Sequence, residues 1–329
     1  MQRLSDFYKS IFGCKTYKIS LDAGCTCPNR DGTKGSSGCI FCSQNGSGDF
    51  AAGRGLSITE QVEQGKKLVL AKLRGRSGER AGKFIAYFQN FTSTYGDAAG
   101  LLAKYREAVS CSEVAGLAVA TRPDCLNEEI LCGLAELSKN HFVQIELGLQ
   151  TCSEATGQLI NRCYTNQDYI DAVRRIRVVA PKIHLVTHLI FGLPGEREED
   201  MLESVKFVVK NNGVLDVQDK STEPLAGGPD FHSLSLSGLT RQSSFGLKIT
   251  SLYVLQNTRL AAMYEAGQYQ PVSKEAYFAL LKKALPLLPE NCVVHRLTGD
   301  PPKSLLIAPD WPTDKKRVLN DLQKLLSEK

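Results

Sequence analysis

The feature that most constrains the fold of this chain is a regular alternation of short apolar segments with longer amphipathic segments. The apolar segments predict strands and the amphipathic ones predict helices, because their hydrophobic periods differ. The predicted strands span 17–21, 84–89, 115–120, 142–147 and 183–190. The predicted helices between and after them span 59–74, 98–109, 127–138, 167–179 and 198–211.

A repeated strand, helix, strand order predicts parallel strands joined by right-handed crossovers. We therefore expect an α/β fold, a closed or partly closed β/α barrel over residues 1–268, with its active site at the carboxyl ends of the strands. The tail at 269–329 has two helical patterns around the strand-like CVVHRL, and predicts a C-terminal α+β extension packed on the barrel. The stretch at 215–244 is rich in Ser, Gly and Leu and lacks either period, which predicts an inserted loop, either a disordered excursion or a lid.

Composition narrows the class of protein. A chain of 329 residues with 42% hydrophobic content can bury a sizeable core. Charged residues among the first twenty argue against a secretory signal, so we expect the eleven cysteines to be reduced and the protein to be cytoplasmic. No segment approaches the roughly 18 apolar residues of a membrane span. The net charge of +5 permits a nucleotide or RNA partner without requiring one.

Three cysteines, Cys27, Cys39 and Cys42, lie in a Gly-, Asn- and Ser-rich loop at 22–50, directly after the first predicted strand. Such a loop buries little apolar surface, so thiolates converging on a metal cluster would order it. Three thiols leave one iron of a [4Fe-4S] cluster open for another ligand. The alternative is a structural zinc site closed by Cys14 or Cys25. In an extended segment Cys25 points away from Cys27, and we treat it as a bystander.

Several motifs in order along the chain resemble the radical S-adenosylmethionine (SAM) superfamily, specifically the YhcC-like group related to the radical domain of elongator. They are CPNRDGT with GCIFC, then YFQNFTSTY, ATRPDCL, IELGLQT, LINR, HLIFGLPGE and HRLTGDPP. The resemblance covers most of the chain and leaves 215–244 over. It implies a partial (β/α)6 TIM-like barrel and a [4Fe-4S] cluster held by the three cysteines. It also implies SAM, which such enzymes cleave to a 5'-deoxyadenosyl radical, and a reducing electron donor such as flavodoxin or ferredoxin.

The resemblance further implies a set of SAM-binding residues. Residues after the second strand would meet the methionyl amine, residues ending the fourth strand the ribose, an arginine the carboxylate, and the turn after the fifth strand the adenine. In that order they are Gln89, Asn90 and Thr92; Gln150 and Thr151; Arg162; and Gly192 and Pro194. Without the resemblance, strand-end capping, a surface arginine and an ordinary turn explain the same residues.

Two positions depart from the pattern of the group. Cys163 and Tyr164 stand where the group commonly has Gly and His, beside the implied carboxylate site.

Arg122 and Asp124 end the third strand and are candidates for the substrate side of the mouth. Glu146, if buried, needs a partner. His188 is interpreted as a core residue and receives no role.

Two hypotheses follow. The first is a radical SAM enzyme acting on an unidentified substrate, for which RNA is a candidate. A basic helix could then contact phosphates, although a solvated helix face explains the same residues: Lys66, Lys67, Lys72, Arg74 and Arg76. The second is a non-catalytic binding module for nucleic acid or protein, stapled by zinc or by a closed cluster.

Overall fold

The computed structural model describes residues 1–44, 46, 53–73, 82–213 and 244–327. Its strands are β1 (Gln2–Arg3), β2 (Thr16–Leu21), β3 (Lys83–Phe88), β4 (Val114–Thr121), β5 (Phe142–Gln150), β6 (His184–Phe191), β7 (Phe245–Ser251), β8 (Val254–Leu255), β9 (Cys292–Arg296) and β10 (Leu306–Ala308). Eight of them form one parallel, curled sheet in the order β1-β9-β7-β6-β5-β4-β3-β2. The remaining two, β8 and β10, pair antiparallel.

Helices follow most strands. They are α1 (Leu4–Phe12), α2 (Ile58–Leu73), α3 (Ala98–Ser110), α4 (Glu128–Leu137), α5 (Glu154–Leu159), α6 (Asn166–Val179), α7 (Glu198–Gly213), α8 (Arg259–Glu265), α9 (Lys274–Ala284) and α10 (Lys315–Ser327). Side-chain caps explain where several of them begin. Asn127 accepts from the backbone N–H of Ile130 at α4, and Thr165 forms a reciprocal capping box with Asp168 at α6.

The strands alternate between two faces, and the two faces differ in polarity. In β5, four apolar side chains belong to the large core between sheet and helices: Val143, Ile145, Leu147 and Leu149. The residues between them face the hollow side of the sheet: Gln144, Glu146, Gly148 and Gln150. Because side chains alternate along a strand, one sequence supplies both a dry outer core and a polar inner wall.

The amino-terminal helix α1 closes the lower end of the half-barrel. Its Phe7 and Tyr8 are buried and pack in a small cluster of inward-facing residues from the sheet. The Phe7 ring lies 6.2 Å from that of Phe142 and 4.5 Å from that of His184, which are the first residues of β5 and β6. The hollow side of the sheet is therefore plugged at the amino-terminal ends of the strands.

The predicted α/β partial barrel is confirmed, and the strands from β2 to β7 provide its six expected β/α units. The predicted tail at 269–329 differs from expectation, because its strand β9 pairs parallel with β7 and so extends the barrel sheet. β1 then pairs with the other side of β9. Covering the β7 edge satisfies backbone groups that would otherwise stay unpaired. The boundary after residue 268 stays a prediction. All but the last residue of the predicted insertion at 215–244 lies outside the described residues.

Candidate active site

The three cysteines lie on the wall of one cavity at the carboxyl-terminal ends of the strands. β2 ends at Leu21, and the loop that follows carries Cys27, Cys39 and Cys42, each half-buried and outside any disulfide. All three line a cavity of about 1060 Å³ that occupies the hollow side of the sheet. The loop's predicted position at the mouth of the barrel agrees with this placement.

Main-chain turns and an arginine shape the cysteine loop. The backbone N–H of Arg30 donates to the Cys27 carbonyl at 2.8 Å, and that of Cys42 donates to Cys39 at 3.1 Å. The Arg30 guanidinium donates to the carbonyls of Cys42 and Ser43 at 2.8 and 2.6 Å. Hydrogen bonds therefore hold the polar part of the loop, and Ile40 anchors it in a buried apolar cluster with Ile160 and Leu260.

A second segment, at 160–161, anchors the loop from the opposite side. Asn29 Nδ2 donates to the Asn161 carbonyl at 2.5 Å, and Asn161 Nδ2 donates to the Gly38 carbonyl at 2.7 Å. The Ile40 N–H donates to the Ile160 carbonyl at 3.1 Å. These bonds join the cluster loop to the start of the LINR motif, so the two motifs form one rim.

The chemistry of the three thiols fits an iron–sulfur cluster. They are soft donors on one cavity wall, and N–H groups approach two of the sulfurs: Asn29 Nδ2 lies 3.7 Å from Cys39 Sγ and Arg122 Nη1 lies 4.0 Å from Cys27 Sγ. Hydrogen-bond donors close to the sulfurs tune the reduction potential of clusters in iron–sulfur proteins. Burial raises the pKa of the Cys39 thiol to about 12, with Cys42 and Cys27 adding to the shift. Bound iron would favour the thiolate.

A single metal ion has no such site in the part of the chain that the structure describes. No group of three or more His, Cys, Asp or Glu side chains converges there closely enough to hold one ion. Cys25 is buried, and burial raises the pKa of its thiol to about 11. It belongs to the outer apolar core.

Three of the predicted SAM-binding residues line the cavity with the cysteines. Gln89 lies directly after β3, and Thr92 follows in the next turn, with its N–H donating to the Thr26 carbonyl at 3.2 Å. Gln150 ends β5 with φ +64°, and its Oε1 accepts from the Tyr164 hydroxyl. The structure thus brings the ends of β3 and β5 to the same cavity as the cysteine loop.

Asn90 and Thr151 are buried beside the cavity and do not line it among the described residues. Asn90 Nδ2 donates to Asp22 Oδ2 at 2.8 Å, and its Oδ1 has no partner among the described groups. The Thr151 hydroxyl donates to Glu196. Burial raises the pKa of that Glu196 carboxyl to about 7. Direct contact of either residue with SAM stays a prediction.

The Arg162 guanidinium is fully hydrogen-bonded within the protein. All five of its N–H donors are used, and only 1% of the residue is exposed. Its guanidinium donates to the carbonyls of Leu149, Thr151 and Tyr164, and to the side chains of Glu154 and Asn166. The prediction that it binds a carboxylate of SAM would require it to leave these bonds, so this geometry does not support it.

The turn after β6 has a structural reason for its glycine. Gly192 has φ +87°, and a Cβ at this position would come within 2.5 Å of Val272. Its carbonyl accepts from the Tyr269 hydroxyl at 2.8 Å. Pro194 is buried two residues later. Neither residue lines the cavity among the described residues, and their contact with adenine stays a prediction.

Arg122 and Tyr164 join the cysteine loop to the barrel wall. The Arg122 guanidinium pairs with Asp124 at 2.8 Å and lies 4.8 Å from the centre of the Tyr164 ring, whose other neighbour is Arg162 at 4.7 Å. Lys34 also pairs with Asp124, at 2.6 Å. Burial raises the pKa of Asp124, but its bonds to Arg122 and Lys34 outweigh burial and lower it overall. Tyr164, the departure from the family pattern, therefore fills the space between two cations.

The sequence analysis expected a partner for a buried Glu146 but did not identify the charged layer on the cavity floor that supplies it. Glu146 lies at its centre: it accepts from Lys18 at 2.5 Å, from Tyr87 at 2.6 Å and from Lys248 at 3.3 Å. Burial raises the pKa of Glu146, but these partners outweigh it and hold the pKa well below its usual range. His188 also lines the cavity, and burial keeps its pKa well below the usual value.

The signal for this layer was present in the strand alternation. Lys18 in TYKISL and Lys248 in FGLKITS are the only charged residues of their strands. A lysine at such a position in a parallel strand faces either solvent or a partner inside the barrel. Pairing it with Glu146 required knowing the order of the strands.

A half-barrel of parallel strands with a three-cysteine loop at its mouth defines the class of radical SAM proteins, and comparisons with known proteins agree. The Radical SAM superfamily profile matches residues 27–208, and the Radical_SAM C-terminal domain matches residues 245–328. This chain belongs to the radical SAM superfamily.

Full-length relatives support this membership. YtqA of Bacillus subtilis is 36% identical over 318 residues, which cover 97% of this chain and 87% of that protein. YhcC of Escherichia coli is 30% identical over 323 residues, which cover 96% of this chain and 89% of that protein.

A partial match links the chain to a tRNA-modifying enzyme by name. A tRNA-2-methylthio-N(6)-dimethylallyladenosine synthase of Clostridium perfringens is 30% identical over 148 residues, which cover 45% of this chain and 30% of the synthase.

A solved structure supports the fold. Elp3 of Methanocaldococcus infernus superimposes with a TM-score of 0.60 at 14% identity, covering 94% of this chain and 63% of that one. The predicted kinship with elongator is therefore confirmed at the level of the fold.

Proposed function

We propose that this protein is a radical SAM enzyme in which Cys27, Cys39 and Cys42 hold a [4Fe-4S] cluster. The observation that carries the proposal is that these three thiols line one cavity together with Gln89 and Gln150, at the carboxyl ends of the strands of a radical SAM fold. When bound, the cluster and SAM supply reductive cleavage to a 5'-deoxyadenosyl radical, which abstracts hydrogen from a substrate.

The residues of this chain would orient the cofactor and exclude water. Arg30 and Asn29 hold the loop, and Arg122 approaches the Cys27 sulfur. The three thiols therefore face one cavity, and binding of iron would draw them together. Gln89, Thr92 and Gln150 offer polar atoms on the cavity wall for SAM. Arg162 would have to leave its present bonds to reach SAM, and contacts of Asn90, Thr151, Gly192 and Pro194 with SAM stay part of the proposal. A flavodoxin or ferredoxin would supply the electron.

The test is anaerobic reconstitution with iron and sulfide, reduction with dithionite in the presence of SAM, and quantification of 5'-deoxyadenosine. We expect product from the native chain and none from a Cys27→Ala, Cys39→Ala, Cys42→Ala triple variant. Iron and zinc are measured in the same samples. A colourless protein with one stoichiometric zinc and no 5'-deoxyadenosine would overturn the proposal in favour of a zinc-stapled binding module.

RNA is the candidate substrate class, because the Clostridium perfringens relative is by its name a tRNA-modifying enzyme. The basic helix adds little support. Lys66 is buried and pairs with Glu63 at 2.9 Å and with Glu113 at 3.5 Å. Its ammonium group is therefore not exposed to the phosphates of an RNA. Lys67 is exposed, whereas Arg74 and Arg76 lie outside the described residues. RNA binding predicts an affinity that falls steeply with salt, and an affinity unchanged between low and high salt would exclude it.

A further inference from the structure

The floor of the cavity carries partly buried charges and is closed to solvent from below. Below it, Phe7 and Tyr8 of α1 plug the half-barrel. On it lie the charged side chains of Lys18, Glu146 and Lys248, whose exposed fractions are only 21%, 4% and 16%. Charges at such depth interact more strongly than at the surface, because water screens them less.

The charges on the floor do not balance. Glu146 is the only carboxylate within ion-pair distance of Lys18 or Lys248 among the described residues, so two ammonium groups share one negative charge. Arg296 lines the same cavity and lowers the pKa of both lysines by repulsion, after the larger effect of burial. Asp300 also lines it, but this carboxylate pairs with Lys315 at 2.7 Å.

The neighbouring groups do not correct the imbalance. His188 faces both Lys248 and the cavity, and burial with repulsion from Lys248 keeps its pKa far below the usual value, so it is neutral. Its Nε2 lies 2.9 Å from Thr250 Oγ1. Tyr87 donates its proton to Glu146. Adjacent buried cations repel one another, and a buried charge is stable when it is paired with an opposite charge. An anion bound next to Lys248 would supply that pairing.

Lys248 is the cation held less tightly. Lys18 Nζ lies 2.5 Å from Glu146, whereas Lys248 Nζ lies 3.3 Å from Glu146 and 3.4 Å from the Tyr87 hydroxyl. Charge-assisted bonds normally measure about 2.7–2.9 Å, so the two contacts of Lys248 are weak. Its ammonium group has three donors and lines the cavity, which leaves it able to bind a ligand from above.

We propose that Lys248, together with Arg296 and with Lys18 behind it, forms a subsite for an anionic group of the substrate, either a carboxylate or a phosphate. The assignment of that ligand as substrate rests on the proposed function, whereas the anion subsite itself rests on the charges of the floor. The subsite lies beneath the cysteines in the same cavity, so the bound anion would hold its substrate on the cavity floor, below the proposed radical.

The experiment is lysine labelling with a small acylating reagent, followed by mass spectrometry, on the full chain with and without reconstituted iron and sulfide. The probes are inorganic phosphate and malonate, compared with chloride at equal ionic strength. We expect at least one probe to slow the labelling of Lys248 fivefold or more, and the anion that protects identifies the chemical class. Lys206, an exposed lysine paired with Glu203, should be unaffected. Rates for Lys248 within twofold of chloride for both probes would overturn the proposal.

Calorimetry with the protecting anion supplies a second measurement. Lys248→Met should weaken its binding at least tenfold, Lys248→Arg should retain it within threefold, and the control Lys206→Met should not change it. Equal binding by Lys248→Met and the native chain, with both folded by circular dichroism, would contradict the proposal.

The two proposals fail in distinguishable ways when 5'-deoxyadenosine is measured in the same preparations. Protection of Lys248 without any SAM cleavage would remove the radical assignment and leave the anion subsite. SAM cleavage without protection would remove the subsite and leave the radical assignment.

Discussion

The rim and the floor of the cavity are built in opposite ways. The rim is a polar loop that carries the cysteines and is held by hydrogen bonds from Arg30, Asn29 and Asn161. The floor consists of side chains on β2, β3, β5 and β7, whose backbones are fixed by the parallel ladder. A ligand that converges on the rim would therefore add much to its order, whereas the floor is already positioned before any ligand binds.

This difference separates two kinds of contribution to function. Substitutions of the rim cysteines should remove a cofactor while leaving the fold largely intact, because these three side chains are only half-buried and lie outside the apolar core clusters. Substitutions on the floor should reduce the stability of the whole barrel, because each charge there is buried among partners. Four predictions test this contrast, in order of decreasing effect.

The largest effect is expected at the rim. We expect a loss of about 100-fold or more in iron retention and in 5'-deoxyadenosine formation for each of Cys27→Ala, Cys39→Ala and Cys42→Ala. Losing one thiolate would leave a second iron of the cluster without a protein ligand. The unfolding midpoint of the unreconstituted protein should change little. Iron analysis, product quantification and urea unfolding measure the three quantities. The matched control is Cys132→Ala, since Cys132 is an exposed cysteine on α4. Equal iron loss in the control would show that the rim is not the binding site.

On the floor, Glu146→Gln should lower the free energy of unfolding by about 3 kcal/mol, because it leaves two buried ammonium groups without a counter-charge. The pKa of Glu146 is depressed in the folded state, so its contribution is present above the unfolded pKa of about 4.3 and is lost as the pH falls through the lower folded pKa. The effect of the substitution should accordingly shrink in strong acid.

The measurement is urea unfolding at neutral pH and in acid. Glu203→Gln, which removes an exposed partner of Lys206, should cost less than about 0.5 kcal/mol. If both substitutions lowered the free energy of unfolding by the same small amount, the ion pairs of the floor would contribute no more to stability than an exposed ion pair.

The third prediction concerns Glu196, which lies behind the rim. Burial raises the pKa of its carboxyl to about 7, so the folded state holds this proton more tightly than the unfolded state. Its contribution to stability is therefore full below about pH 4.3 and is lost as the pH rises through 7, by roughly 1 to 3 kcal/mol. Glu196→Gln should flatten this part of the stability profile. Unfolding midpoints at pH 5 and pH 8 test it, and an unchanged slope in the variant would assign the dependence to another group.

The smallest effect is expected where rim and floor meet. Tyr164→Phe keeps the ring between Arg122 and Arg162 but removes hydroxyl bonds to Gln150 and the Gly148 carbonyl. We expect a loss of about 1 kcal/mol in stability, since one neutral hydroxyl is removed. Chemical unfolding measures this value, and SAM affinity measured alongside reports whether Gln150 has moved. A loss above 3 kcal/mol would mean that the hydroxyl, and not the ring, holds the two parts together.

The parts of the fold that could be predicted from sequence were those with a strong local period. The strand at 142–150 and the helix at 166–179 carry their own alternation and caps, and the predicted boundaries lie within a few residues of the observed ones. The amino-terminal helix α1 and the pairing of β9 with β7 were missed. Both depend on residues far away in the sequence. α1 packs against inward-facing side chains at the lower end of the barrel, and β9 pairs with the edge of β7.

The candidate site shows the same division. Cysteine spacing pointed to the rim from sequence alone, and Gln89, Thr92 and Gln150 line the expected cavity. The resemblance implied that Arg162 binds the SAM carboxylate; in the structure its five donors bind carbonyls and side chains of its own rim, and the ligand role stays a prediction. No local pattern distinguishes an arginine that binds a ligand from one that satisfies the backbone, because the difference lies in which carbonyls converge on it.

The amino-acid sequence by itself determined the parallel α/β class, the alternation of strands and helices along the chain, and the cysteine loop after the first barrel strand. These follow from hydrophobic period, capping and residue spacing, which are properties of neighbouring residues. Only the tertiary structure decided that Lys18, Glu146 and Lys248 share one floor and that the C-terminal tail completes the sheet. Those outcomes depend on strand order and on charges far apart in sequence, whose energies appear only when folding removes the water between them.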